Sequence, residues 1–272
     1  MKEPEESEIE DLLEFIKNFY GYDLTGYAKA SLLRRVVRFL NNYKLTDVKQ
    51  LIEELTINTA IFGLFLTELT VNVTEMFRDP TFYKSLRQNV LPKLKTYPHI
   101  KVWDAGCSTG EEAYSMAIVL KEESLLHKSR IYATDLNLKV LEIARDGIYP
   151  LHYLQEYSKN YQKSGGVTSF SEYYLAKYNN AIIDSKLKEN IIFAAHNLVS
   201  DSTFNEFNLI LCRNVLIYFQ KDLQEKVLQL FVNSLCMYGY LALGSKETLA
   251  LSSVRERFEV VDARDKIFRR IA

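Results

Sequence analysis

The stretch Val102-Trp103-Asp104-Ala105-Gly106-Cys107-Ser108-Thr109-Gly110-Glu111-Glu112 holds the residue types best suited to chemistry. An apolar strand ends in an acid and a glycine-spaced turn, and a helix then opens on two glutamates. A helix N-terminus carries partial positive charge and takes phosphate groups when it is left bare. Here Glu111 and Glu112 fill that position with negative charge, which disfavours a pyrophosphate and suits a cation or an amine with hydroxyls. S-adenosylmethionine, with its sulfonium, ammonium and ribose, has that chemistry. An ordinary strand-to-helix turn is the plainer reading, and glycine spacing alone does not separate the two.

Other polar residues fall where such a guest would meet them. Asp135 ends the next strand, Arg130 to Asp135. A carboxylate there accepts ribose hydroxyls in nucleotide-binding sheets, or else caps the following helix. Asn197 follows the strand Ile191 to Ala194, and Arg213-Asn214 follows the strand Phe207 to Cys212. Polar groups at a buried strand exit need partners, either a ligand or an internal network. Ligands of open α/β sheets bind beyond the C-terminal strand ends, so the convergence of these residues with Asp104 outweighs any one of them. The polar linker Val71 to Pro80, with Asn72, Thr74 and Arg78, leads into this region.

The elements that position these groups change character near His99. Before it the chain reads as helices. Ser7 with Glu10 suggests a capping box, and Ile9, Leu12, Leu13, Ile16 and Phe19 share a helical face. A second helix runs from about Tyr27 to Asn41, with Leu33, Val36, Val37 and Leu40 on one side and Arg34, Arg35 and Arg38 between them. That basic stripe is either a solvated face or a docking surface for something acidic. Further helices span about Asp47 to Leu55 and Thr59 to Leu69. After His99, strands alternate with helices, which predicts a mainly parallel sheet with crossover connections. Phe258 to Val261 and Lys266 to Ile271 read as a closing antiparallel hairpin. Residues of about 150–190 break the alternation with many tyrosines and Gly165-Gly166, as an insertion with a small β element or a long irregular crossover. The expected division is a helical domain over 1–70, a linker and connecting helix over 71–98, and an α/β domain over 99–272.

Composition narrows the classes. Lys and Arg number 34 against 35 Asp and Glu, so no general case for nucleic-acid binding arises. No apolar run is long enough for a membrane span. Cys107, Cys212 and Cys236 make no metal spacing and read as thiols of a reducing compartment. Scattered His99, His127, His152 and His196 give no reason to expect a metal site.

Five ordered motifs resemble those of the CheR-type chemotaxis receptor methyltransferases. Asn72, Thr74 and Phe77-Arg78 are similar to the family's T-N-x-T-x-F-F-R segment, and Cys107 to Glu112 with Tyr114-Ser115 resembles its A-S-T-G-E-E-P-Y-S loop. Ala133-Thr134-Asp135 with Ala144 to Tyr149, then Asn197-Leu198, then Cys212 to Phe219, resemble the remaining signatures. Ala113 replaces the loop proline, and Gly244-Ser245-Lys246-Glu247 resembles G-H-S-E with Lys246 intruding. The resemblance implies an α/β fold of the class I S-adenosylmethionine-dependent methyltransferases, Rossmann-like with an antiparallel last strand, plus an all-helical N-terminal domain and a small β insertion. It implies methyl transfer from S-adenosyl-L-methionine, with S-adenosyl-L-homocysteine as product, to glutamates of a chemoreceptor's cytoplasmic helical region. Cofactor contacts then fall on Asn72, Thr74, Arg78, Gly106, Glu112, Asp135, Asn197, Leu198, Arg213 and Asn214, with Arg78 and Tyr218 nearest the transfer. It turns the Arg34, Arg35, Arg38 stripe towards receptor docking. The short segment around Tyr178-Asn179-Asn180 argues against dependence on a receptor C-terminal peptide tether. The expected location is the cytoplasm. A methyltransferase with another acceptor, a non-catalytic adaptor and, less well matched, a dehydrogenase are the rivals.

Overall fold

The computed structural model describes residues 4–70 and 74–272. Four helices come first: α1 (Glu6–Tyr20), α2 (Lys29–Tyr43), α3 (Val48–Ile57) and α4 (Thr59–Leu69). Asp47 accepts from the Gln50 amide at 2.9 Å and Asn58 from the Ala60 amide at 3.0 Å, so side chains cap α3 and α4. The expected Ser7–Glu10 cap is not formed. Ser7 already lies inside α1, and the Glu5 amide donates to the Glu8 carboxylate at 2.8 Å instead.

The helices share one core, with Leu12, Ile16, Leu51 and Phe65 at its centre. On α2 the buried seam is Leu32, Val36, Phe39 and Leu40, rotated from the expected Leu33, Val36, Val37 and Leu40. Phe39 decides the rotation. Its ring stacks on Tyr43 at 4.1 Å and meets Phe65 edge-on at 4.9 Å, and an aromatic ring buries more area than Val37 would. The three arginines therefore do not form one stripe. Arg34 and Arg38 are exposed, whereas Arg35 turns towards the second domain.

A connecting helix follows as α5 (Pro80–Ser85), a π-helical turn (Leu86–Val90) and α6 (Leu91–Leu94). Pro80 takes the first helical position, where its missing N–H costs nothing. The α/β domain then runs β1 (Ile100–Ala105), α7 (Glu111–Glu122), β2 (Ser129–Asp135), α8 (Leu138–Asp146), β3 (Ile148–Pro150), α9 (Leu154–Lys163), β4 (Tyr174–Lys177), β5 (Asn180–Ile183), α10 (Ser185–Lys188), β6 (Ile191–Ala195), β7 (Phe207–Cys212), α11 (Lys221–Ser234), β8 (Leu235–Leu243), β9 (Phe258–Asp262) and β10 (Ile267–Arg270).

Seven strands form one sheet in the order β6-β2-β1-β7-β8-β10-β9. The pairings from β6 to β8 are parallel, and β10 is antiparallel to both neighbours, as the hairpin-like tail leads one to expect. Alternate residues of β1 divide between two cores. Val102 packs with the connecting helix, α7 and the insertion, and Trp103 packs with α11. The strand order reverses between β1 and β7, which is where such sheets open a ligand crevice.

The insertion carries a separate antiparallel sheet, β3-β5-β4. Tyr178 and Asn179, with φ of 48° and 60°, form the left-handed turn between β4 and β5. Arg87, from the π-helical turn, is buried and pairs with Glu122 and, at 3.0 Å, with Glu123. Glu122 also accepts from the hydroxyls of Tyr161 and Tyr173, so one carboxylate of α7 ties the connecting helix to the insertion. Among the described residues no helix is long and apolar enough to cross a membrane.

Candidate active site

The loop after β1 folds back on the end of β2. The amides of Gly106 and Cys107 both donate to the Thr134 carbonyl, at 2.8 and 2.9 Å. Gly106 has a φ of 86°, and a Cβ there would lie 2.5 Å from Val215, so both backbone and space require glycine. This turn brings the Ser108 amide to 2.9 Å from one oxygen of Asp135, and the Asn137 amide lies 2.9 Å from the other. Burial raises the Asp135 pKa above the usual carboxylate range, and the backbone amides of Asn137, Ser108 and Leu136 oppose that shift.

Glu112 and Glu111, adjacent at the start of α7, have different roles. Glu112 lines the cavity, and its carboxylate meets Arg213 Nη1 at 2.5 Å. Glu111 does not line it. Its buried carboxylate takes the Thr109 hydroxyl at 2.6 Å, and burial raises its pKa. Of the two glutamates expected to face a ligand, only Glu112 therefore faces the cavity. Successive helical residues point about 100° apart, and only one can face the crevice.

Arg213 joins the linker to α7. Its Nη2 donates to Asp79 at 2.8 Å and to the Arg78 carbonyl at 3.1 Å, and its guanidinium lies over the Phe82 ring at 4.1 Å. Burial opposes its charge, but Glu112, Tyr83 and Asp79 hold it protonated. Asn214 is set by Glu247, whose buried carboxylate accepts from the amides of Gly244, Asn214 and Val215 at 2.5, 3.0 and 2.9 Å. Phe77, Asp79, Ser108 and Asn214 all have left-handed backbones, with φ of 54°, 55°, 50° and 63°. Each costs about 1–2 kcal/mol in a residue other than glycine. Phe77 is held there by packing against Tyr83 and Tyr161 and by its amide, which donates to Ser115 Oγ at 2.9 Å. Two strained residues thus flank Arg78 and present it to the cavity.

Thr74, Arg78, Gly106, Glu112, Asp135, Asn197, Leu198, Arg213, Asn214 and Tyr218 line a single cavity of about 940 Å³, open mouth included. Asn72 lies outside the described residues. Outside the residues that line the cavity, the Arg35 guanidinium stands 5.7 Å from the Tyr218 ring centre. Burial raises the Tyr218 pKa, while the charges of Arg35 and Arg78 work against that rise.

Sequence comparison places this geometry. The CheR methyltransferase all-alpha domain matches residues 7–70, and the CheR methyltransferase SAM binding domain matches residues 72–267. The chain belongs to the CheR methyltransferase family. A putative methyltransferase, Cher3, of Pseudomonas putida is 48% identical over 97% of this chain and 96% of its own length. Chemotaxis protein methyltransferases of Listeria monocytogenes and Vibrio cholerae are each 30% identical, over 86% and 94% of this chain and 87% and 94% of their own. The class I methyltransferase fold, the helical N-terminal domain and S-adenosylmethionine as cofactor stand on these matches together with the sheet order. The chain is an S-adenosylmethionine-dependent methyltransferase of the chemotaxis type.

The residues present fit that cofactor. Asp104 is buried at the end of β1 with Oδ2 unpartnered. Burial, then the charges of Glu112 and Asp135, push its pKa well up, against the pull of Arg213. An excess of acids around one guanidinium suits a cationic ligand, as a CheR-family cofactor domain requires. The helical domain adds Tyr27, Leu69 and Thr70 to the cavity wall, and His196 joins from the end of β6. Sequence reading missed these four. No local motif marks Tyr27, Leu69 and Thr70, because only the docking of one domain on the other brings them to the cavity, and His196 directly precedes the selected Asn197.

Proposed function

We propose that the protein transfers a methyl group from S-adenosylmethionine to glutamate side chains in the cytoplasmic helical region of a chemoreceptor, giving methyl esters. The observation that carries this reading is the pair of arginine charges that act on Tyr218: Arg35 stands 5.7 Å from its ring centre, and Arg78 lines the same otherwise acidic cavity. A carboxylate acceptor is matched by two such positive charges, and an amine or a nucleobase is not.

Bound S-adenosylmethionine supplies an electrophilic methyl group on a sulfonium. Asp135 takes the ribose hydroxyls, Asn197 and Leu198 border the base, and Gly106 lets the loop approach. Glu112, with Thr74, Arg213, Asn214 and the linker residue Asn72, holds the amino-acid end. Arg78 and Tyr218 orient the acceptor. A glutamate is already ionised at neutral pH, with an ordinary pKa of about 4.3, so no general base is required. Holding two reactants in line contributes roughly 7–11 kcal/mol of barrier lowering.

Receptor docking falls to the exposed Arg34 and Arg38 of α2, with Arg35 acting beside Tyr218. Arg38 pairs with Glu68 at 2.7 Å yet stays mostly exposed, so it can exchange that partner for a receptor carboxylate. The short β4–β5 turn supports recognition without a receptor C-terminal peptide. On this reading the protein works in the cytoplasm.

The test uses methyl-labelled cofactor and membranes from the same cell. Wild-type protein is expected to place base-labile label on a membrane protein, and Arg78→Ala to lose most transfer while binding S-adenosylhomocysteine nearly as well. Base-stable label, or wild-type turnover by Arg78→Ala, refutes the proposal.

A further inference from the structure

Tyr27 belongs to the helical domain, in the turn between α1 and α2, yet it lines the cofactor cavity. That turn is fastened to the segment carrying Tyr218. The Ala28 amide donates to the Tyr218 carbonyl at 2.8 Å, and the Gln220 amide to the Gly26 carbonyl at 2.8 Å. Gln220 Nε2 donates to the Tyr27 carbonyl at 3.1 Å. The Tyr27 and Phe219 rings meet edge-on with centres 5.0 Å apart. Gly26 sits so close to α11 that a Cβ would lie 2.6 Å from Leu223 Cδ2. The phenol is therefore held by both domains. Burial, then the nearby Asp135 carboxylate, push its pKa well above the ordinary tyrosine value, so it remains a neutral hydroxyl.

We infer that Tyr27 is a ribose-side cofactor ligand supplied by the helical domain, so that cofactor binding and closure of the helical domain on the methyltransferase domain form one linked equilibrium. A phenol both donates and accepts, which suits a place between a carboxylate and ribose hydroxyls. Asp135 lines the same cavity, its carboxylate oriented by the amides of Ser108 and Asn137 at 2.9 Å each. Thr67 and Thr70 of the α4 end meet Asn137 Nδ2, at 3.0 and 3.4 Å, so the residue that positions Asp135 also touches the helical domain. Linkage is reciprocal. Whatever tightens the cofactor also tightens the seam, and α2 begins at Lys29, directly beyond it. A receptor meeting α2 then meets a firmer platform when the methyl donor is bound.

The inference rests on the ribose lying at Asp135, and the test separates the two. S-adenosylhomocysteine binding by the full chain is measured by calorimetry for wild type, Tyr27→Phe and Asp135→Ala. Amide exchange at Ala28 and Gln220 is followed with and without that ligand. Tyr27→Phe is expected to bind about five- to tenfold more weakly, the size of one hydrogen bond, and Asp135→Ala about a hundredfold. The ligand is expected to slow exchange at both amides in wild type, and much less in Tyr27→Phe at equal occupancy. Wild-type affinity in Tyr27→Phe beside a weakened Asp135→Ala overturns the inference and leaves the ribose assignment standing. Unchanged affinity in both overturns that assignment as well. Unchanged exchange at Ala28 and Gln220 in saturated wild type overturns the linkage without recourse to any variant.

Discussion

Arg213→Met strands a buried charge, and its cost follows from the contacts. The Arg213 side chain is 2% exposed, that of Glu112 13% and that of Asp79 41%. Removing one partner of a buried pair costs about 3–5 kcal/mol, because the other charge stays buried. Asp79 is exposed enough for its half to count for no more than about 1 kcal/mol. Loss of the cation over Phe82 costs about 1 kcal/mol, although methionine keeps much of the packing. Arg213→Met should therefore destabilise the ligand-free protein by about 4–6 kcal/mol, a large part of a typical domain's stability. Urea unfolding at neutral pH measures it. The decisive comparison is Arg213→Met with Glu112→Gln, which leaves no stranded charge and should recover about 2–3 kcal/mol over Arg213→Met alone. A loss below about 1.5 kcal/mol, or a double variant no more stable than the single one, refutes the view that Arg213 compensates Glu112.

Asp104→Asn reports the buried acid through pH. The Asp104 pKa is raised in the folded state by burial and by Glu112 and Asp135, so the fold binds its proton more tightly than the unfolded chain does. Stability from this group is then lost as pH rises from the ordinary carboxylate value of about 3.9 through the raised one. The variant should gain on wild type as pH rises across that window, and a constant difference in urea midpoint from acid to alkaline pH excludes this account. Glu247→Gln sets an amide NH₂ among three backbone donors and should cost about 1–3 kcal/mol by thermal unfolding and weaken S-adenosylhomocysteine binding through Asn214; an unchanged affinity would remove Glu247 from the site's support. Arg34→Glu with Arg38→Glu should reduce receptor methylation severalfold through KM and leave cofactor affinity intact, and a cofactor defect would reassign α2.

Much of the fold was legible because its signals are local. The strand ends carrying Asp104, Asp135 and Cys212 stand within a residue of where the apolar runs stop, and Gly147 closes α8 with a left-handed φ of 55° as a helix-ending glycine does. Gly106, Asp135, Asn197, Leu198, Arg213 and Asn214 gather for the same reason, since parallel strands deliver their C-terminal ends to one edge. What escaped depends on neighbours distant in sequence. Leu32 and Leu33, and Val36 and Val37, are equivalent to any periodicity, and only Phe65 and Tyr43 select the buried member of each choice through Phe39. Arg35 looked like part of a surface stripe because Tyr218, its companion, lies 183 positions along the chain. Lys246 looked like an intrusion, but it is exposed beside a buried Glu247, so the position tolerates it.

The compensation of Glu112 by Arg213 bears on the chemistry that the site supports. On the proposed reading both reactants lose charge as the methyl group moves: the sulfonium becomes a thioether and the carboxylate an ester. Any ion pair stronger with the reactants than with the transition state raises the barrier. A bare Glu112 at the amino-acid end, close enough to act on the sulfonium, would be such a pair. Its bond to Arg213 shares that charge, and the two carboxylates on Arg213 leave the cluster only one unit negative. The acidic end of the cavity then orients the donor without pinning the charge that must disappear. At the other end the charges of Arg35 and Arg78 both act on Tyr218, so a neutral hydroxyl as well as a guanidinium can meet the acceptor. Glu112→Gln tests the balance. If Glu112 only aligns the donor, the substitution lowers kcat modestly. If it acts chiefly as a counter-ion, KM for the cofactor rises while kcat holds or increases.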